Sequence, residues 1–295
     1  MLRVAIPGGV WRGEALRADA PVDTPAEIPV RELALRPIDG GDELFLLDTI
    51  GHPVPCARAT ALLARCLEDS DAERTARGLT VGDREALLLQ LRRLTLGDSF
   101  DCVLRCPTAS CGERMELTLQ VSELLLPQYT DVRREYTLVL DQADGHYDIS
   151  FRLPTADDLE RAAVATRVDV ECGALSLLSD CVRAVTRDGE HLAVAQTGQP
   201  VRAAISVAMA EHDPQAEIEL DLVCPTCATA FPVVFDTGMF LLQELDQRAG
   251  QLTQDVHTLA MYYHWSEEEI VRLPQGRRAR YLELIADAAA RTRAL

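Results

Sequence analysis

An α+β fold is what this 295-residue sequence predicts, on three observations. Several short runs alternate apolar and polar residues between turn signals, as half-buried strands do. Other runs place apolar residues at helical spacing behind Ser, Thr or Asp caps. Two Cys-Pro turns, each set between strand-like runs, read as the tips of two hairpins.

Residues 1 to about 27, with Gly8, Gly9 and three prolines, read as an extended arm or flexible leader. RELALRPIDGGDELFLLD alternates well enough for two short strands around Gly40-Gly41. ATALLARCLED is a short amphipathic helix and DSDAERTARG a polar loop. LTVGDREALLLQLRRLTLG is the clearest helix: Thr80 caps it and Asp83 completes a capping-box pattern. Leu87, Leu91 and Leu94 line its apolar face, Arg84, Arg92 and Arg93 keep to solvent, and Gly97 ends it. The first Cys-Pro hairpin follows.

EYTLVLDQADGHYDISFRLPT then reads as a hairpin turning at Asp144-Gly145. Thr155 caps TADDLERAAVAT, and ECGALSLLSDCVRAV and QPVRAAISVAMAEHD are two further helices. The second Cys-Pro hairpin comes next. From Gly238 the chain is helical, with MFLLQELDQRAGQLTQDVHTLAMYYHW either one long helix or two broken at Gly250. Ser266 caps a turn, and Pro274 opens the last helix. The expected division is an arm over 1–27, an α+β region over 28–240 with an insertion at about 122–215, and a helical region over 241–295.

The nine cysteines form no even framework of the kind secreted domains use. Cys106 and Cys111 form a C-x4-C turn, and Cys224 and Cys227 a C-x2-C turn. Proline after the first cysteine pre-sets a turn, and Gly112 permits positive φ just past the second. Two such knuckles can supply four thiolates, the closed tetrahedral set of structural zinc, in a zinc-ribbon-like core. The knuckles stand 113 residues apart, so an insertion must separate two hairpins that meet in space. A zinc site, or a degenerate former one, ranks ahead of ordinary reduced cysteines in turns. A redox C-x2-C ranks third, because strand-like residues follow where a redox motif opens a helix. Cys102 is the one substitute ligand in reach. Cys56, Cys66, Cys172 and Cys181 read as buried small hydrophobes.

Composition bounds the function. Hydrophobic residues make up 47 %, ample for a core in one or two domains. The 29 basic residues, all arginine, oppose 47 acidic ones for a net charge of −18. Exclusive arginine is explained by a G- and C-rich genome and implies no function. The charge disfavours nucleic-acid and anionic-membrane partners. No apolar run nears the roughly 20 residues that cross a bilayer, and the start lacks the order of a signal peptide. A soluble cytoplasmic protein is the expectation.

No nucleophile elbow, phosphate loop, zinc-protease helix or dinucleotide fingerprint appears. GGDE at residues 40–43 matches a nucleotide-cyclase turn in four letters only. Asp157 and Asp158 are explained by helix-start duty. His257 and His264 share a face if one helix carries both, but Tyr262, Tyr263, His264 and Trp265 read as an aromatic packing or docking seam. Arg277, Arg278 and Tyr281 follow as partner-contact candidates.

From about Arg31 to Phe240 the sequence resembles the T-even phage baseplate protein family and its relatives in contractile injection systems. RELALRPIDGGDELFLLD, LTVGDREALLLQLRRLTLGDSFDCVLRCP with Cys111-Gly112, FRLPTADDLE and CPTC carry the resemblance. The tail, HTLAMYYHWSEEEIVRLPQGRRARYLELI, is similar to short tail assembly chaperones, whose hallmark is a helix, His-Trp and another helix. The resemblance implies a structural or assembly protein and no catalytic residue. It puts Cys106, Cys111, Cys224 and Cys227 at the family's metal positions, although C-x2-C is commoner than C-x4-C in the first knuckle.

The expectation is therefore a non-enzymatic baseplate component or assembly chaperone of a contractile phage-tail-like particle, with structural zinc. It would contact tube, sheath, hub or spike proteins and not nucleic acid. The competing expectations are a zinc enzyme with an open metal position and a zinc-ribbon adaptor in transcription.

Overall fold

Strand β1, Leu2–Val10, pairs antiparallel with β2, Val30–Leu35, and buries Val4 and Ile6. The computed structural model describes residues 2–11 and 29–293. The leader expected over 1–27 is thus corrected for Leu2–Val10, whose alternating LRVAI was masked by Gly8, Gly9 and Pro7; residues 12–28 lie outside the described residues.

Only RELAL, at the start of RELALRPIDGGDELFLLD, is a strand. Pro37 cannot extend a ladder, and Asp39 caps a helix instead, α1, Gly40–Asp48, through a capping box with Asp42. The Gly-Gly pair marks close approach here. A Cβ on Gly40 would meet the Val271 carbonyl at 2.5 Å, where a tail helix crosses. Next come α2, Pro55–Cys66, and a short helix, α3, Ala72–Gly78, in place of the expected polar loop. Its one fully buried side chain, Ala76, holds that turn to the core, too small an apolar signal to read from sequence.

Helix α4, Val81–Leu96, is the hub, and its arginines do not keep to solvent as expected. Arg84, 2 % exposed, donates to the Thr60 hydroxyl (3.1 Å) and the Cys56 carbonyl (3.0 Å) and pairs with Glu85. Arg92 grips Glu244 with two 3.0 Å bonds and donates to the Gly97 carbonyl. Only Arg93 of the three is exposed. Thr80 caps the helix, but the Asp83 carboxylate does not complete a box. It accepts the amides of Gly8 and Gly9, 2.7 Å each, and so pins the end of β1. Burial pushes the Asp83 carboxyl up despite those two bonds.

Strands β3, Ser99–Arg105, and β4, Arg114–Gln120, form the first cysteine hairpin, and the single turn α5, Val121–Leu124, follows. The inserted region is more than a hairpin and three helices. Strands β5, Tyr136–Gln142, and β6, Gly145–Phe151, pair as expected. Helices α6, Ala156–Thr166, and α7, Val170–Cys181, come next, and the chain then returns as β7, Val182–Arg187, and β8, Glu190–His191. The sheet order is β5-β6-β7-β8. VRAV was expected to extend a helix, but its branched residues pair with β6 instead. Helix α8, Gln199–His212, covers this sheet, burying Ile205 and Met209 with Tyr147 and Phe151.

The second cysteine hairpin is β9, Ile218–Val223, with β10, Ala230–Phe235. Helix α9, Thr237–Tyr263, runs unbroken through Gly250. Its Leu241, Leu242 and Leu245 complete the largest apolar core, with Leu46, Leu62, Leu63, Leu87 and Leu91. Helices α10, Glu267–Val271, and α11, Gln275–Arg293, finish the chain. Among the described residues no helix is long and apolar enough to cross a membrane.

Candidate metal centre

Period-2 alternation turns one face of each cysteine hairpin toward the other. At the base, Phe100 of β3 meets Phe235 of β10 and Phe240 of α9, with ring centroids 5.7 and 4.8 Å away, and Phe235 and Phe240 lie 5.3 Å apart. Arg92 lies over the Phe100 ring at 4.6 Å, so α4 fixes the root of the first hairpin. Toward the tips, Leu104 and Met115 face Phe231 beside the cysteines.

The tips fold on the same plan. The Cys106 amide donates to the Glu113 carbonyl (2.8 Å) and the Cys224 amide to the Thr229 carbonyl (3.0 Å). The residue after each second cysteine is left-handed: Gly112 at φ 60° and Ala228 at φ 57°. Within the turns, Cys111 donates to the Thr108 carbonyl and Ala228 to the Cys224 carbonyl, both at 2.9 Å.

These turns bring Cys106, Cys111, Cys224 and Cys227 together, all four sulfurs within 4.8 Å of one another. Cys106 Sγ lies 3.6 Å from Cys227 Sγ, and Cys111 Sγ 3.7 Å from Cys224 Sγ. A tetrahedral thiolate site with metal–sulfur bonds of about 2.3 Å has sulfur–sulfur edges of about 3.8 Å. The cluster fits that size, and no carboxylate or imidazole belongs to it. It could hold a metal ion. The first cysteine of each knuckle is buried; Cys227 is exposed and Cys111 half-buried.

Electrostatics already separates the thiols. The Cys227 thiol is drawn down to about 6, first by the Thr229 hydroxyl, 3.3 Å away, and then by the Thr229 amide. Cys111 is favoured as a thiolate by a backbone bond from Glu113, yet desolvation and the neighbouring thiols push it up to about 12. Sulfurs this close resist a second negative charge unless a cation joins them. Thr229 is a neighbour of the cluster that no spacing signal marks.

The other cysteines stay out. Cys102 is buried lower on β3 and does not join the cluster. Cys66 and Cys181 are buried as expected, but Cys56 is only half-buried and Cys172 is exposed.

The tail candidates divide. Tyr263 stacks on Trp265 at 4.7 Å, and Tyr281 packs edge-on to both, at 5.5 and 4.9 Å, over Leu259, Ile270 and Ile285. That seam joins the tail helices to each other. His264 closes α9 in a left-handed turn at φ 57°, so it does not continue the helical face of His257. Tyr262 and Arg277 are exposed. Arg278 is 2 % exposed and holds Glu43 of α1 at 2.6 Å, so it is an internal clamp and not a free surface cation. The GGDE letters serve packing in the same way, through Asp42 and Glu43.

No curated protein and no solved structure matches the chain. The family described as T4 bacteriophage base plate protein matches residues 28–241, from the strand that follows the undescribed segment to the start of α9, and takes in both cysteine knuckles. On that match, which spans most of the sequence, the chain belongs to the T4 bacteriophage base plate protein family.

Proposed function

We propose that this chain is a structural or assembly component of the baseplate of a contractile phage-tail-like particle, acting by protein contact and not by catalysis, with zinc in its four-cysteine centre. The family match over residues 28–241 carries the reading. The donor set supports zinc in particular: four thiolates suit a borderline-soft cation and leave no position for a reactive water. An open-site zinc enzyme is disfavoured on that ground.

Zinc would hold the hairpin tips, which have little apolar packing of their own, and thereby fix the surface offered to tube, sheath, hub or spike subunits. Soluble chain would assemble in the cytoplasm and enter the particle. The test is co-purification of tagged chain with tail particles through gradient sedimentation, read by mass spectrometry. Tube, sheath, hub or spike proteins at stoichiometric ratio support the reading; a chain that sediments alone at every stage of assembly overturns it.

A further inference from the structure

One construction occurs twice in this chain. β2 runs into Arg36, and six residues on, the Asp42 carboxylate takes both arms of its guanidinium, at 2.6 and 3.1 Å. β6 runs into Arg152, and six residues on, Asp158 does the same, at 2.5 and 2.8 Å. Each aspartate closes a capping box on the helix that follows, with Asp39 on α1 and with Thr155 on α6.

The same arginine then ties down the end of the second helix. The Arg36 amide donates to the Cys66 carbonyl (3.0 Å) and its guanidinium to the Arg65 carbonyl (2.9 Å). The Arg152 amide donates to the Cys181 carbonyl and its guanidinium to the Asp180 carbonyl, both at 3.0 Å. The Cys66 thiol lies 3.8 Å from Asp42, and the Cys181 thiol 3.9 Å from Asp158. Beyond them the chain returns antiparallel, Leu67 beside Leu35 and Val182 beside Phe151.

Local propensity explains a capped helix; it does not explain the same remote atoms meeting the same partners twice. The larger order repeats too. An antiparallel strand pair (β1–β2, β5–β6), two helices (α1–α2, α6–α7), an antiparallel return (the single Leu35–Leu67 bridge in one half, β7 in the other), a long helix (α4, α8) and a cysteine hairpin (β3–β4, β9–β10) occur in the same order in both halves, with α3 added only in the first. Each knuckle stands nearly the same number of residues after its arginine.

The thiols carry the signature of the relation between the halves. The close pairs are Cys106 with Cys227 and Cys111 with Cys224, first cysteine with second in both directions, the pattern that a two-fold axis imposes. Burial follows it: Cys106 and Cys224 are 4 % and 1 % exposed, and their mates are more open.

We propose that the chain is two tandem copies of one unit, about residues 2–124 and 136–240, and that the four-cysteine centre lies on the pseudo-two-fold axis between them, where a metal ion joins the copies. The joint rests on the metal reading above. Neither copy offers more than two thiolates, so retention is all-or-none and both tips order together.

The test uses the full chain loaded with zinc, read by native mass spectrometry and hydrogen exchange. Expected are one zinc per monomeric chain and none in either Cys106→Ser/Cys111→Ser or Cys224→Ser/Cys227→Ser. In both variants the amides of Cys106, Gly112, Cys224 and Ala228 should exchange at least tenfold faster together, while those of Arg36 and Arg152 keep their protection. Chelating zinc from the unmutated chain gives the same readout without relying on a variant that folds. A first-knuckle variant or chelated chain in which β9–β10 stays protected, or a zinc shared between two chains, overturns the inference. A chain that takes up no zinc on refolding in its presence fails the metal reading itself.

Discussion

Ala228 holds the left-handed position, φ 57°, that Gly112 holds at φ 60° in the other knuckle. A Cβ in that region costs roughly 1–2 kcal/mol that glycine avoids. Ala228→Gly should therefore stabilise the metal-loaded protein by about 0.5–1 kcal/mol, after the extra chain entropy glycine brings. Gly112→Ala should cost about 1 kcal/mol from backbone strain alone, since a Cβ there meets nothing within 4 Å. Urea midpoints at constant m-value report both, higher for Ala228→Gly and lower for Gly112→Ala; a reversal of either sign would show that the turns are not equivalent.

Gly82 makes room for a carboxylate. Its amide donates to Asp213 at 2.8 Å, and a Cβ would stand 1.9 Å from Asp213 Oδ1. Gly82→Ala should cost 2 kcal/mol or more, about a lost buried hydrogen bond plus overpacking. Thermal unfolding with the far larger loss absent in Gly82→Ala/Asp213→Ala would identify the clash as the cause; an unshifted single variant would refute it.

Asp213 should make stability fall as pH rises. Burial pushes its carboxyl up to about 6, against the Gly82 amide and the Tyr129 hydroxyl that favour the charge. With its folded value above its unfolded value, the penalty is absent below about pH 4, grows as the unfolded chain ionises first, and is complete above about pH 6, at about 3 kcal/mol. Asparagine can accept from Gly82 and donate to Tyr129. Asp213→Asn should gain on the unmutated protein by about that amount between pH 4 and 7; a constant difference across the range would contradict the assignment.

Arg278 and Glu43 lie 235 residues apart and meet at 2.6 Å, both buried. Removing Arg278 leaves the buried Glu43 carboxylate with the Arg248 guanidinium at 4.0 Å, at a cost of up to about 3–5 kcal/mol. Arg278→Met should loosen α10 and α11, seen as faster proteolysis of the tail, and Glu43→Leu added to it should recover much of the loss. If the double variant is no better than the single, the two charges are not a pair.

The sequence carried the four-cysteine cluster because cysteine-proline turns between alternating strands are local signals, and it carried α4 and α6 through their caps and apolar spacing, and α8 through spacing alone. It hid the networks. Arg84, Arg92 and Arg278 look like solvated cations until the acceptors that bury them, Thr60, Glu244 and Glu43, arrive from distant elements. Gly40 looks like a turn because the Val271 carbonyl it accommodates comes from the other end of the chain. The Tyr263, Trp265 and Tyr281 cluster was legible as a concentration of aromatic residues, but its partner is the tail itself.

X-ray absorption at the zinc edge, on the full chain refolded with zinc, tests the four-thiolate centre most directly. A single shell of four sulfurs at about 2.3 Å is the predicted result. A mixed shell with nitrogen or oxygen ligands, or zinc that washes off on desalting, would contradict it.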